Sequence, residues 1–196
     1  MENHQQRLTG IYFSKNQKGD PMKTIVVYKS KYGSTKAYAE WIAEELGCEA
    51  KEYKSVKPTD LVQYDAIVYG GGLYAEMIAG INLITKNFDL ISDKKLAVFC
   101  TGITPIDCRE YYDNMVVPKN FKPHMIDKIK FFNYPGKMVL SELSPVHRTA
   151  LKALKKLMAG KENPSEMEKL LIELCDVDGD FSDRSAIKEL VGYIKN

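Results

Sequence analysis

The chain of 196 residues has no apolar run near the roughly 20 residues that a membrane-spanning helix requires, and its opening MENHQQRLTG lacks the apolar centre of a secretory signal. The expected location is therefore the cytoplasm. The four cysteines, Cys48, Cys100, Cys108 and Cys175, include no CxxC pair, and there are only three histidines. Both facts argue against zinc and against a disulfide framework, and no metal ligands are expected. Cys100, in the apolar run LAVFC, reads as core filling, whereas Cys108 falls in a loop. A formal net charge of +2 with dispersed lysines is too small to imply nucleic-acid binding. Neither GxxxxGK[ST] nor GxGxxG occurs, which disfavours nucleoside triphosphates and the usual dinucleotide fingerprint. Asp176-Val177-Asp178-Gly179-Asp180 has the opening spacing of a calcium loop, but Phe181 and Ile187 stand where such a loop wants glycine and glutamate. His124 and His147 belong to no recognisable triad, so no side chain is assigned a catalytic part.

What the chain does contain is enough apolar sequence, 44% of residues, for one domain with a sizeable core. Residues 1–22 read as an N-terminal extension, with Ile11-Tyr12-Phe13 as an extended arm and Gly19-Asp20-Pro21 as a turn, and 23–196 as the folded domain. From Lys23 onward short apolar runs alternate with segments of helical period. TIVVY (24–28), DAIVYGGG (65–72) and KLAVFCTG (95–102) predict strong strands, with a weaker one at Cys48–Lys54 and another at Ile129–Asn133. Tyr38, Trp41, Ile42 and Leu46 predict a helix stopped by Gly47. Met77, Ile78, Ile81, Ile84 and Phe88 predict a second helical face. A helical turn is expected from Pro58, and helices over Asp107–Met115, Pro145–Met158, about Pro164–Leu174 with Asn163 as its cap, and Ser185–Ile194. Alternation of this kind predicts an α/β, doubly wound parallel sheet of five strands with helices on both faces and an extra helical insertion before the last helix. Ligands bind such sheets at the carboxyl ends of the strands, which directs attention to the loops after Tyr28, Tyr69 and Cys100.

The first of these loops is Ser30-Lys31-Tyr32-Gly33-Ser34-Thr35. Hydroxyl donors, a glycine free to adopt a left-handed turn, and a helix N-terminus just beyond suit a phosphate monoester. Ser34 and Thr35 serving only as helix caps is the competing reading.

This loop resembles the flavodoxin phosphate loop, S/T-x-T-G-x-T, with Tyr32 in place of the usual small hydroxyl residue. The segment Gly70-Gly71-Gly72-Leu73-Tyr74 is similar to the flavodoxin stretch in which glycines admit the isoalloxazine ring and an aromatic residue stacks on it. Thr101-Gly102-Ile103-Thr104 takes the place of the loop over the ring's other side, without the usual aromatic. The resemblance implies FMN as cofactor, held by residues 30–35, Gly71, Gly72, Leu73, Tyr74 and Thr101–Thr104. Within the superfamily the chain resembles most the flavodoxin-type menaquinone-dependent protoporphyrinogen oxidases, on MKTIVVY, GGGLY and the insertion at 134–175. That likeness implies an FMN-dependent oxidoreductase of heme biosynthesis that oxidises protoporphyrinogen IX with a quinone acceptor. The alternatives are an electron carrier working with a redox-protein partner, and a non-enzymatic domain that has lost its flavin.

In the insertion, Val146, Ala150, Leu151, Leu154, Leu157 and Met158 form an apolar stripe, and His147, Arg148, Lys152, Lys155, Lys156 and Lys161 crowd the rest. Such a helix suits a peripheral contact with the inner face of a membrane through residues 146–161, or an ordinary solvated surface.

Overall fold

The strands in chain order are β1 (Thr24–Lys29), β2 (Glu49–Glu52), β3 (Ala66–Tyr74), β4 (Met77–Ile78), β5 (Lys95–Gly102) and β6 (Ile129–Pro135). Hydrogen bonding arranges them as β2-β1-β3-β5-β6, all parallel, with β4 folded back antiparallel on β3. The computed structural model describes residues 22–196. The expected N-terminal extension and its arm lie outside the described residues, apart from Met22.

Side-chain alternation along the strands builds two cores. Ile25, Val27, Ile67, Leu96 and Val98 face one side, and Val26, Val68, Ala97, Phe99 and Phe132 the other. The second face is covered by α1 (Ser34–Leu46), through Tyr38, Ala39 and Ile42, and by the C-terminal helix through Leu190, Val191 and Ile194. Because both faces of the sheet are buried, the strands carry continuous apolar runs rather than alternating polar positions. The first face is covered by short pieces: α2 (Asn82–Thr85), α3 (Phe88–Ile91), α4 (Arg109–Tyr111) running through a π-helical turn at Tyr112–Val116 into α5 (Val117–Asn120), and α6 (Pro123–Ile126). Beyond β6 come β7 (Lys137–Met138), α7 (Pro145–Ala159), α8 (Glu166–Leu174) and β8 (Gly179–Asp180), which pairs with β7. The helix α9 (Lys188–Lys195) closes the chain.

Several expectations are corrected. Met77 and Ile78 do not begin a helix: Ala75 and Glu76 take left-handed φ values of 47° and 67°, turning the chain back so that Leu73 pairs with Ile78. The buried Asn120 holds this turn, accepting from Ile78 N at 2.8 Å and donating to Glu76 O at 2.6 Å. Ile78, Ile81, Ile84 and Phe88 are nonetheless all buried, so their spacing reported burial correctly and conformation wrongly. The weak strand at 48–54 ends at Glu52, where the chain enters a 3₁₀ turn. The cap of α8 is Ser165, not Asn163; it exchanges hydrogen bonds with Glu168 in a capping box. The last helix begins at Lys188, after a 3₁₀ turn over Arg184–Ile187.

The glycine triplet lies within β3, as the run DAIVYGGG predicts, with Gly70 and Gly71 paired to both β1 and β5 and Gly72 to β5. Gly70 sits opposite Phe99, whose ring lies over it, and a Cβ there would stand 2.1 Å from Phe99 Cζ. At Gly71 the obstacle is backbone, with a Cβ 2.6 Å from Ala79 O. Replacing Gly70 by alanine should destabilise the protein by about 1–3 kcal/mol, the usual range for overpacking. Thermal unfolding will show this as a lowered Tm, and adding Phe99→Leu to the Gly70→Ala protein should recover part of the loss.

A cavity at the carboxyl ends of β1, β3 and β5

The connections from β1 and β3 leave the sheet toward opposite sides, opening a crevice between the carboxyl ends of those strands. A cavity of about 460 Å³ lies there, within the range of roughly 300–1,000 Å³ usual for small-molecule sites. Its floor comes from the loop after β1, the end of β3 and the end of β5. Its roof comes from α7 and α8. Of the fourteen expected site residues, Ser30, Lys31, Tyr32, Ser34, Thr35, Gly72, Leu73, Tyr74, Thr101, Gly102, Ile103 and Thr104 line it. Gly33 and Gly71 do not: Gly33 forms the turn before α1, and Gly71 is covered by Ala79 and Ile78.

Two hydroxyls of the first loop, those of Ser34 and Thr35, are fixed by partners from other strands. Thr35 Oγ1 and Thr101 Oγ1 share a buried hydrogen bond of 2.8 Å. Ser34 Oγ accepts from Lys137 N at 2.8 Å, and Ser30 Oγ accepts from Gly33 N at 3.2 Å, which leaves each of these two serines an O–H to donate. No side chain caps α1, so the capping reading of Ser34 and Thr35 fails. Gly33 precedes the helix at φ 98°, and the first backbone bond of that turn is Ala37 N to Gly33 O. The N–H groups of residues 34–36 are therefore the free donors of a helix start.

Electrostatics add to this. Of the charged residues on the cavity wall, Lys137 pairs with Glu142, Lys161 with Glu168, and Glu76 with Lys119. Lys31 enters no ion pair among the described residues and donates instead to Ser144 Oγ at 3.1 Å. One uncompensated cation thus stands beside the open helix start.

Four contributors carry no expectation from the sequence. His147, which was given no role, lies on the wall with its Nδ1 2.8 Å from Tyr32 Oη and its ring 4.6 Å from that of Tyr74. Tyr111 supplies an aromatic residue near the third loop, where none was expected. Gly136 and Lys137 join the floor through Gly136 N to Gly102 O (2.8 Å) and Lys137 N to Ser34 Oγ. The amphipathic stripe of α7 was the available signal for the roof: Ala150, Leu151, Leu154, Leu157 and Met158 line the cavity, and Met158 packs with Leu171 and Cys175 in a small core of its own. Val146 remains 75% exposed.

A doubly wound sheet with a ligand-sized cavity at its switch point defines an α/β protein of the flavodoxin-like class. The chain belongs to the flavodoxin domain family, whose model matches residues 25–165. Solved structures similar to it include a flavodoxin from the domain Archaea, at 18% identity over 79% of this chain and 97% of that one with a TM-score of 0.37. Others are oxidised Flavodoxin 2 from Bacillus cereus (16%, 78% and 94%, TM-score 0.37) and a Fusobacterium nucleatum flavodoxin mutant bound to flavin mononucleotide (14%, 59% and 71%, TM-score 0.35). No curated protein matches the chain.

Burial, then the charge of Lys31, holds the His147 imidazole below its ordinary value of 6.5. Removing that charge should let it rise. NMR titration of His147 should give a pKa below 6.5 in the unaltered protein and a higher one in Lys31→Ala.

Proposed function

We propose that the cavity binds FMN and that the protein is an FMN-dependent oxidoreductase. The observation that carries this reading is the chemical division of the cavity. One end offers the open start of α1, the spare O–H groups of Ser30 and Ser34, and unpaired Lys31. The remainder is apolar and bordered by Tyr74 and Tyr111. A single phosphate attached to a flat aromatic system matches that division. The donors at 30–36 would hold the phosphate, and the segments 72–74 and 101–104 would border the ring. When bound, the flavin supplies electron transfer, while the protein contributes binding, orientation and exclusion of water.

The roof favours an enzyme over a simple carrier, because α7 and α8 enclose apolar space where a carrier needs only an exposed ring edge. Protoporphyrinogen as electron donor and a quinone as acceptor follow from the resemblance of the insertion and the GGGLY segment to the menaquinone-dependent oxidases. Val146 and Leu157, both exposed on α7 beside Lys152 and Lys156, are the residues through which a shallow membrane contact would form. Among the described residues no helix is long and apolar enough to cross a membrane.

The purified protein should show a flavin spectrum, or gain one on addition of FMN. Gly33→Val, which places a β-branched residue at φ 98°, and Ser34→Glu, which sets a carboxylate against the phosphate, should each weaken FMN binding about 100-fold, equivalent to about 2.7 kcal/mol. Unchanged affinity in both would move the site elsewhere. With FMN bound, protoporphyrinogen-dependent reduction of a menaquinone analogue identifies the enzyme; flavin turnover only with a redox protein identifies the carrier. Co-sedimentation with anionic phospholipid vesicles, diminished in Val146→Asp combined with Leu157→Asp, tests the membrane contact.

A further inference from the structure

Four hydrogen-bonded residues, Lys31, Tyr32, Ser144 and His147, bridge the first loop and the start of α7 at the cavity's edge. Tyr32 Oη lies 2.8 Å from His147 Nδ1 and accepts from Ser144 N at 3.3 Å. Ser144 Oγ accepts from Lys31 Nζ at 3.1 Å and from His147 N at 3.4 Å. The Tyr32 hydroxyl has one proton and two acceptors in reach, Nδ1 at 2.8 Å and Ser144 Oγ at 3.4 Å, and the second already receives two donors. Donation to the nearer acceptor, Nδ1, corresponds to a neutral imidazole that carries its own proton on Nε2.

We propose that the Tyr32–His147 pair is the proton-accepting group of this cavity, taking up one proton when two electrons are delivered to a flavin bound there. The inference rests on the FMN reading above. Electrons entering an apolar enclosure bring negative charge that the enclosure must compensate. The charged side chains on the other walls, Glu76, Lys137, Lys161 and Glu168, are committed to ion pairs, and Lys31 already carries its full charge. Among the described residues His147 is the only histidine or cysteine on the wall, the side-chain types that ordinarily titrate nearest neutrality. Burial pushes the hydroxyls of Tyr74 and Tyr111 up to about 12, so neither releases a proton. Burial also raises Tyr32, but hydrogen bonds with Ser144 and the influence of Lys31 more than offset it and leave that hydroxyl below its ordinary value. It is the acidic member suited to pass a proton to Nδ1.

The step balances as follows. A bound flavin would receive two electrons from a reductant such as dithionite and, from solvent, the one proton its own ring requires, so that uptake by the pair is additional to it. Tyr32 Oη gives its proton to Nδ1, forming the imidazolium, and regains one from solvent, so the pair ends one proton richer. Withdrawal of the electrons by an oxidant reverses each transfer.

The test is the midpoint potential of the FMN-loaded protein as a function of pH, in the unaltered protein, His147→Gln and Tyr32→Phe, with FMN affinity and circular dichroism measured on each. In the unaltered protein the potential should fall more steeply between the pKa of His147 in the oxidised form and its higher pKa in the reduced form. His147→Gln should lose that steeper segment while still binding FMN. Tyr32→Phe removes the hydroxyl that favours the neutral imidazole, so its segment should begin at higher pH. Coincident potential–pH lines for the unaltered protein and His147→Gln, both with FMN bound, would overturn the proposal and leave the FMN reading intact. Failure of the unaltered protein to bind FMN would remove both.

Discussion

The site depends on a constraint of connectivity. A chain that runs through β1, crosses to β2 on one side and then returns to β3 on the other must leave the carboxyl ends of β1 and β3 without a covering crossover between them. Everything placed over that gap comes from elsewhere in the chain: the loop that opens α1, the hairpin of β3 and β4, the end of β5, and the insertion after β6. The buried Thr35–Thr101 hydrogen bond and the Ser34–Lys137 contact join three of these pieces. The floor of the cavity is thereby tied together by hydrogen bonds within the protein itself.

How much of this can be read from sequence depends on how local its cause is. The strands were legible because burial on both faces forces β-branched and apolar runs, and TIVVY, AIVYGGG and KLAVFC are such runs. The first loop was legible because its residues are contiguous. The glycine triplet was legible as a place of close approach, but sequence could not name what approaches. At Gly70 it is Phe99 from the neighbouring strand, and at Gly71 it is the returning backbone of residue 79. The β4 hairpin was misread because Ile78, Ile81, Ile84 and Phe88 meet one buried surface from a two-residue strand, a turn and two single-turn helices, imitating a helical period.

His147 was illegible for a different reason. Its partner Tyr32 is 115 residues away, and neither residue has a local signature. Tyr32 looked like a blemish in a phosphate loop because the motif was judged as a unit by itself. In the fold that tyrosine reaches across to α7, where its hydroxyl meets Ser144 and His147. The amphipathic stripe of α7 was likewise plain in the sequence, while the surface it covers was not, because a helix records its apolar face without recording what lies opposite.

The small separate core formed by Met158, Leu171 and Cys175 gives the roof a degree of independence. Substitutions there alter packing among α7, α8 and Ile103, whereas the floor is held by backbone bonds and by the two sheet cores. Such a division lets the enclosed volume and its lining change through mutation while the cradle beneath keeps its shape. What the cavity encloses is thereby set from residues 145–175 without disturbing the sheet.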